Sequence, residues 1–342
     1  MTDLYTSPKE MKKAIVQRIR AALIMLGSAT KAELSQRLGI SFPTISKFLA
    51  QMESDGEIVY SGDDDSSGGR RAKRYSYDPE YRLGLGIFIE KTETKYTIFN
   101  CIGEIKEEGS MPSVLEPEFH LLADLIETLI EKYPRLRSIA IGVPGAVNNG
   151  RIIFIPPYPQ LQGRDLQGML ESRFQIPVVV ENDMNASVLG YASNMEIENE
   201  SLVYLYFGQN GPGSGIMING DVVRGSTSFS GEISFVPQYD NRSFRQALLQ
   251  GERFRRTILS DDDQIDSVAR LVATFAAITN PRAVIFCDDE VDEALLARIA
   301  ERSASYIPRE HLPALLASDW RQDYLYGLQQ LALNLMIAES DS

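Results

Sequence analysis

Residues 178–187 read Val-Val-Val-Glu-Asn-Asp-Met-Asn-Ala-Ser, with two carboxylates and two carboxamides directly behind three β-branched residues. The Val178–Val180 run predicts a buried strand of a parallel sheet. Glu181-Asn182-Asp183 falls where that strand gives way to a helix-compatible run beginning near Asn185. In open α/β sheets ligands sit outside the carboxyl ends of strands, so polar side chains there face a cleft and can bind a polar molecule. Asn182 and Asp183 are also good helix caps, and these ten residues alone leave both readings open. A second group carries different chemistry. Ser41, Phe42, Thr44, Ser46 and Lys47 cluster at the start of a predicted helix, and Gly69, Arg70 and Arg71 lie on a predicted hairpin. Hydroxyls, a cation and an aromatic at a helix N-terminus suit base edges in a major groove, and flanking arginines suit phosphate.

The elements that must position the second group are legible in the first eighty residues. Met11, Ile15, Ile19, Ala22, Leu23 and Leu26 recur at helical spacing from Pro8 onward, and Gly27 stops that helix. Thr30-Lys-Ala-Glu33 matches a capping box, and the short helix it starts is broken by Gly39. Ser41 can cap a third helix, residues 41–54, with Pro43 in its first turn. Ile45, Phe48, Leu49 and Met52 form its inward stripe. A helix, a glycine turn and a second helix make a helix-turn-helix. A strand at 56–60, a polar loop and a second strand beginning at Arg70 add a basic hairpin, or wing, whose residues reach the adjacent backbone or minor groove. Asp63-Asp64-Asp65 at the wing would repel phosphate, so contact is assigned to Gly69, Arg70 and Arg71.

Charge distribution agrees with this division. The net charge is −13, but residues 1–80 carry 12 Lys+Arg against 11 Asp+Glu, a net of +1. The remaining 22 basic and 36 acidic residues give −14 to residues 81–342. A near-neutral small domain can still bind a polyanion through one local patch. Only Cys101 and Cys287 are present, and only His120 and His311, so neither a disulfide framework nor a Cys- or His-based zinc site is expected. No apolar run approaches the roughly 18 residues of a membrane span. The opening MTDLYTSPKEMKK has no apolar signal core, so a cytoplasmic protein is expected.

The larger part, 81–342, alternates strands with helices, which predicts an α/β fold. Residues 83–90 and 94–101 read as a hairpin, 117–133 as a helix, and 138–143 as a buried strand ending in Gly142-Val-Pro-Gly145. A second half opens similarly, with a strand at 201–208 and a glycine-rich hairpin at 211–225. Two halves with the same opening imply duplicated lobes, about 81–200 and 201–318, with a cleft between them. The segment from Asp319 through Leu335 reads as a long helix that packs back on the first lobe, with a dimer contact as the alternative.

GVPGAVNNGRI (142–152), VVVENDMNASVLG (178–190), YFGQNGPGSGIMINGDVVRG (206–225), GEISF (231–235) and the wing's GRRAKRY (69–75) together resemble the ROK family of bacterial sugar kinases and sugar-responsive repressors. The resemblance spans about residues 10–335. It implies an actin-like, hexokinase-like domain of two α/β lobes behind an N-terminal winged helix-turn-helix, and dimers or dimers of dimers. Asp183 falls on the kinases' general base, a carboxylate able to take a proton from a sugar hydroxyl. Asn182 and Glu232 fall on positions that bind sugar hydroxyls, with Gly142 and Gly145 shaping the adjacent turn. The 211–225 loop falls on a phosphate loop whose amides would cradle an anion, although tight turns explain its glycines equally well.

The departures from the family are informative. Where the kinases carry an Asp followed by Gly-Gly-Thr, this chain has Phe88-Ile89-Glu90-Lys91-Thr92-Glu93, whose bulk and charge would exclude a triphosphate. Paired glycines expected near adenosine are Cys287-Asp288-Asp289. The family's zinc-binding histidine, which also helps hold the sugar, is Phe235, and VPQYDNRSF replaces the cysteine cluster. PPYPQLQGRD (156–165) stands where the family has an Asn and a Trp. Tyr158 or Phe235 could stack on a sugar or simply fill the site. The expectation is a transcriptional regulator, a repressor, of carbohydrate genes that reads a palindromic double-stranded operator. Its sugar or sugar-phosphate effector would sit in a degenerate site using Asn182, Asp183, Glu232 and Gly145. Neither ATP, zinc nor catalysis is expected, Asp183 being a vestigial base. The alternatives are a sugar kinase with a regulatory domain and a regulator that no longer binds a sugar.

Overall fold

The computed structural model describes residues 7–64, 71–115, 120–156, 158–208, 211–248, 259 and 261–338. Helix α1 (Pro8–Leu26) begins at Ser7, whose hydroxyl accepts the Glu10 amide. A short strand β1 (Ala29–Thr30) leads into α2 (Lys31–Leu38), which starts with the reciprocal Thr30–Glu33 capping box. Gly39 ends α2 in the left-handed region, and Ser41 caps α3 (Phe42–Ser54). Strands β2 (Ile58–Asp63) and β3 (Lys73–Tyr77) close a three-stranded antiparallel sheet in the order β1-β3-β2. Strand β2 runs past the expected end at Tyr60, and Asp63 pairs in register with Lys73. Opposite charges across the ladder, together with an Arg74–Asp64 ion pair at 2.8 Å, extend the hairpin into what reads as loop. Strand β3 begins at Lys73, with Arg71 and Ala72 ahead of it outside the strand.

The rest of the chain forms two lobes. The first contains β4 (Leu83–Ile89), β5 (Glu93–Asn100), β6 (Ile105–Pro112), α4 (Leu121–Lys132), β7 (Leu136–Val143), the small hairpin β8 (Ala146–Asn148) and β9 (Arg151–Phe154), α5 (Leu166–Phe174), β10 (Val178–Asn182) and α6 (Asp183–Asn194). The second contains β11 (Leu202–Tyr206), β12 (Gly213–Ile218), β13 (Asp221–Val222), α7 (Phe244–Leu248), α8 (Asp262–Thr279), β14 (Ala283–Cys287), α9 (Glu293–Ser303), β15 (Ala314–Ser318) and α10 (Trp320–Ala338). Each lobe holds a five-stranded mixed sheet, ordered β10-β7-β4-β5-β6 and β13-β12-β11-β14-β15. In both, the first strand lies at the centre with an antiparallel meander on one side and two parallel strands on the other. The duplication inferred from the sequence is therefore present strand for strand.

Each lobe ends in a helix, α6 or α10, and these two helices pack on each other. The crossing needs glycine at the eighth residue of both: a Cβ on Gly190 would collide with the Asp323 carbonyl, and one on Gly327 with the Ala186 carbonyl. Their backbones are thus in direct contact, which couples the ends of the two lobes with little compliance. As expected, α10 also lies on the first lobe, where Leu328 and Met336 meet the glycines of β4.

The far end of α10 receives the N-terminal unit. Its last carbonyls have no partner within the helix. Two buried arginines donate to them, Arg20 to Ile337 at 3.0 Å and Arg82 to Met336 at 3.4 Å. Cations at a helix C-terminus also favour the helix dipole. Arg20 pairs with buried Glu57, which offsets much of the cost of burying either charge. Met336 and Cys101 join Ile19, Leu23, Leu34, Leu49 and Tyr77 in one apolar cluster. The N-terminal unit therefore shares a core with the lobes rather than hanging from a linker.

Candidate functional site

The strand-to-helix junction at residue 182 opens into a cleft between the lobes. Val178–Asn182 pair in parallel with Ile139–Val143, so Asn182 and Val143 end side by side. Asn182 caps α6: its Oδ1 accepts the amides of Met184 and Asn185 at 2.9 and 3.0 Å. Its Nδ2 donates to the Gly145 carbonyl at 3.1 Å and to Asp183 Oδ1 at 2.8 Å. The capping reading and the cleft reading of Asn182 thus coincide, because it lines the cleft while its polar atoms orient its neighbours. Asp183 Oδ1 also accepts the Met184 amide at 2.9 Å, which leaves its other oxygen to the cleft.

The opposite wall comes from the second lobe. Gly211–Ser214, Ser228, Ser230, Gly231 and Glu232 face Gly145, Asn182, Asp183 and Asn185. Gly231, with φ +94°, lies so close to the Ser214 carbonyl that a Cβ would clash, and its own carbonyl accepts the Ser214 amide at 2.9 Å. Gly145 is required for a similar reason, since a Cβ there would come within 2.6 Å of the Phe154 carbonyl. Gly142 points elsewhere, against the Tyr324 hydroxyl. Burial lifts the Asp183 carboxyl from its ordinary 3.8 to about 7, partly opposed by the Met184 amide. Burial alone lifts Glu232 to about 7. The cleft thus holds two carboxyls, one per lobe, that change charge near neutrality and can donate or accept toward hydroxyls.

The sequence placed Glu181 at the strand end without a role, and Arg224 was not singled out. Buried Glu181 accepts from the Asn182 amide at 2.9 Å and Asn185 Nδ2 at 3.1 Å, bracing the junction. Its other oxygen pairs with Arg224, which reaches over from the second lobe with Nε at 3.2 Å. Only the glycine-rich flank of Arg224 hinted at its role.

A different environment lies at the other end of the cleft, past Tyr206. Glu90, Thr92, Glu93, Asp289, Glu290, Trp320 and Arg321 line it. Phe88, Tyr324, Trp320 and Tyr206 stack in series, with centroids 4.2 Å (Phe88–Tyr324), 5.6 Å (Phe88–Trp320) and 5.0 Å (Tyr206–Trp320) apart. Burial pushes Glu90 up to about 8, reinforced by Asp183. Tyr158 is buried in the first-lobe core, whereas Phe235 is 55% exposed, which separates the two aromatics that the sequence left undecided. Among the described residues no group of three or more His, Cys, Asp or Glu is arranged to hold a metal ion. No described helix is long and apolar enough to cross a membrane.

On the N-terminal unit, Ser41, Phe42 and Lys47 are exposed, and Thr44 and Ser46 are half-buried, at the start of α3. The Ser41 and Thr44 hydroxyls are 2.8 Å apart and share a hydrogen bond. Arg71 is exposed, while Gly69 and Arg70 lie outside the described residues. Lys31, Phe42, Tyr60, Arg71 and Lys73 line one concave face, with Lys73 Nζ 5.6 Å above the Tyr60 ring. Lys31 and Tyr60 had no signal in the sequence, since α2 and β2 bring them there. Arg74 is committed elsewhere, bound to Glu33, Asp64 and the Ser28 carbonyl.

Among proteins of known role, the chain is similar to the xylose repressor of Caldicellulosiruptor bescii, at 28% identity over 214 residues. That alignment covers 60% of this chain and spans 53% of the repressor's length. Among solved structures, a ROK family transcriptional regulator described as a homologue of the Escherichia coli MLC protein superposes with a TM-score of 0.70 at 16% identity, covering 96% of this chain and 98% of its own. The ROK hexokinase of Thermus thermophilus superposes with a TM-score of 0.60 at 19% identity, covering 73% of this chain and 97% of its own. Residues 84–244 match the family model described as ROK family, and they include the β4–β5 hairpin, the 182–183 junction and the Glu232 loop. The chain carries a ROK family domain.

Proposed function

We propose that this chain is a sugar-responsive transcriptional repressor that binds DNA through a winged helix-turn-helix, formed by α1–α3 and the β2–β3 hairpin. Its two-lobed ROK domain then serves as a sensor and not as a catalyst. The observation that carries this reading is the continuity of α10. One end packs backbone to backbone on α6, the helix that bears Asp183, and the other is held by Arg20 of the N-terminal unit. A change in lobe closure around a ligand therefore has a stiff path to the DNA-binding face. Coupling of this kind is typically worth 1–3 kcal/mol.

Asp183, Glu232 and Gly145 would receive a sugar or sugar phosphate, with Asn182 and Glu181 setting the geometry. Ser41, Phe42, Thr44, Ser46 and Lys47 would meet base edges, and Arg71, with Lys31 and Lys73, the backbone. Gly69 and Arg70 remain candidates on the wing. A homodimer, or a dimer of dimers, would present two such units to a palindromic operator. The kinase alternative is disfavoured by the aromatic stack and the carboxylates at the second end of the cleft, which oppose a triphosphate by bulk and by charge.

DNA selected from a randomised pool by the purified protein supplies a test duplex. Arg71→Ala with Lys73→Ala should weaken binding to it and lower the slope of log affinity against log salt by about 2, one per lost phosphate contact. Unchanged affinity and slope in a gel-shift titration would defeat the assigned face.

A further inference from the structure

Beside the cleft that holds Asp183 and Glu232, three phenylalanines meet across the lobes. Phe154 comes from β9 of the first lobe, and Phe229 and Phe235 from the second. Their ring centroids are 5.4 Å (Phe154–Phe229), 5.7 Å (Phe154–Phe235) and 5.4 Å (Phe229–Phe235) apart. Each ring grows from the wall of the polar cleft itself. Phe154 is the cross-strand partner of Ala146, which lines the cleft. Phe229 stands between Ser228 and Ser230, both of which line it, and Phe235 ends the turn that starts at Glu232.

These rings are not a core. Phe229 is 40% exposed and Phe235 55%, so the group keeps a large apolar surface in water directly beside a site made of carboxylates, hydroxyls and glycine backbone. Leaving aromatic area exposed costs free energy, and such area next to a formed polar cleft marks a recognition surface. A simple clasp between lobes would be expected to bury its rings. Aromatic faces bind flat, apolar ring faces, whether the C–H face of a pyranose or an aryl group.

We propose that this trio is an outer subsite and that the effector is a glycoside larger than one sugar: its terminal sugar enters the polar cleft, and the ring on the other side of the glycosidic bond stacks on Phe229 and Phe235. The inference rests on the sugar-sensing reading above and names the class of effector. Two sources share this chemistry, a second sugar residue and an aryl aglycone.

Titration calorimetry separates these possibilities. The probes are glucose, xylose and N-acetylglucosamine, the β-linked disaccharide of each, and the p-nitrophenyl β-glycoside of each. For the sugar that fits, the two-ring ligand should bind about tenfold or more tightly than the monosaccharide. Preference for the disaccharide identifies an oligosaccharide effector, and preference for the nitrophenyl compound an aryl glycoside. Phe235→Ala and Phe229→Ala should each remove most of that gain while leaving monosaccharide affinity within about twofold. Equal affinity for one-ring and two-ring ligands would overturn the outer subsite and leave the sugar-sensing reading standing. A fall in affinity for both classes alike in the Phe variants would make the trio a clasp between lobes and overturn it too. No binding of any probe would overturn the sugar-sensing reading together with this inference.

Discussion

Helices α6 and α10 follow the fifth strand of the main sheet in their lobes and cross at matched glycines, yet their first turns differ in kind. At the start of α6, Asn182 and Asp183 line a polar cleft. At the start of α10, Trp320 and Tyr324 stack with Phe88, and Trp320 lines the far end of the cleft. The same architecture therefore presents a polar, receptive end and an aromatic, acid-lined end. In a duplicated fold the strands and helices fix where a site can be, and the side chains at two helix starts decide whether each is used. The aromatic end also holds Glu90 and Asp289, and Glu90, like the two carboxyls of the receptive end, changes charge near neutral pH.

The largest effect should come from the aromatic end. Phe88 is buried against Trp320 and Tyr324, so Phe88→Ala should cost roughly 3–5 kcal/mol, read as a fall in the chemical-denaturation midpoint. A loss near zero would mean that the stack is loose.

A smaller effect, with a definite sign, belongs to Asp183. Its folded value near 7 exceeds the ordinary 3.8, so between those values the native state holds a proton that the unfolded chain has released. The stability this contributes is complete at low pH and is lost as pH rises through about 7. Glu232 and Glu90, at about 7 and about 8, add to the same trend. Asp183→Asn keeps the oxygen that accepts from Met184 and Asn182, and should melt several degrees above the parent at pH 8 but close to it at pH 4. An unchanged difference between the two pH values would show that Asp183 is ionised throughout.

The smallest effect is expected at the mouth of the receptive end. Phe235→Ala should change stability by less than about 1 kcal/mol, because the ring is mostly in water. The contrast with Phe88 is the point: one phenylalanine is buried in a stack and the other stands in water beside an opening.

Much of this arrangement was legible in the sequence because its signals are local. The capping box at Thr30, the left-handed turn at Gly39 and the Ser41 cap lie within a dozen residues, and each is present as read. The β-branched run before Glu181 became β10, and the duplicated openings became matching sheets. What escaped depends on residues far apart in the chain. Gly190 and Gly327 look like ordinary helical glycines until the two helices cross, and nothing near Arg224 points to Glu181, 43 residues earlier. Arg74 shows the converse failure. It read as part of a basic wing, but Glu33 and Asp64, brought to it by folding, have already taken it.

The most direct test of a receptive cleft wired to DNA is a pair of titrations on one sample. Operator affinity is measured by fluorescence anisotropy on a duplex selected from a random pool, with and without saturating sugar or glycoside. Expected is a change in DNA affinity of about fivefold or more with at least one ligand, lost in Asp183→Asn. A ligand that binds the cleft by calorimetry yet leaves DNA affinity unchanged would contradict the coupling through α6 and α10.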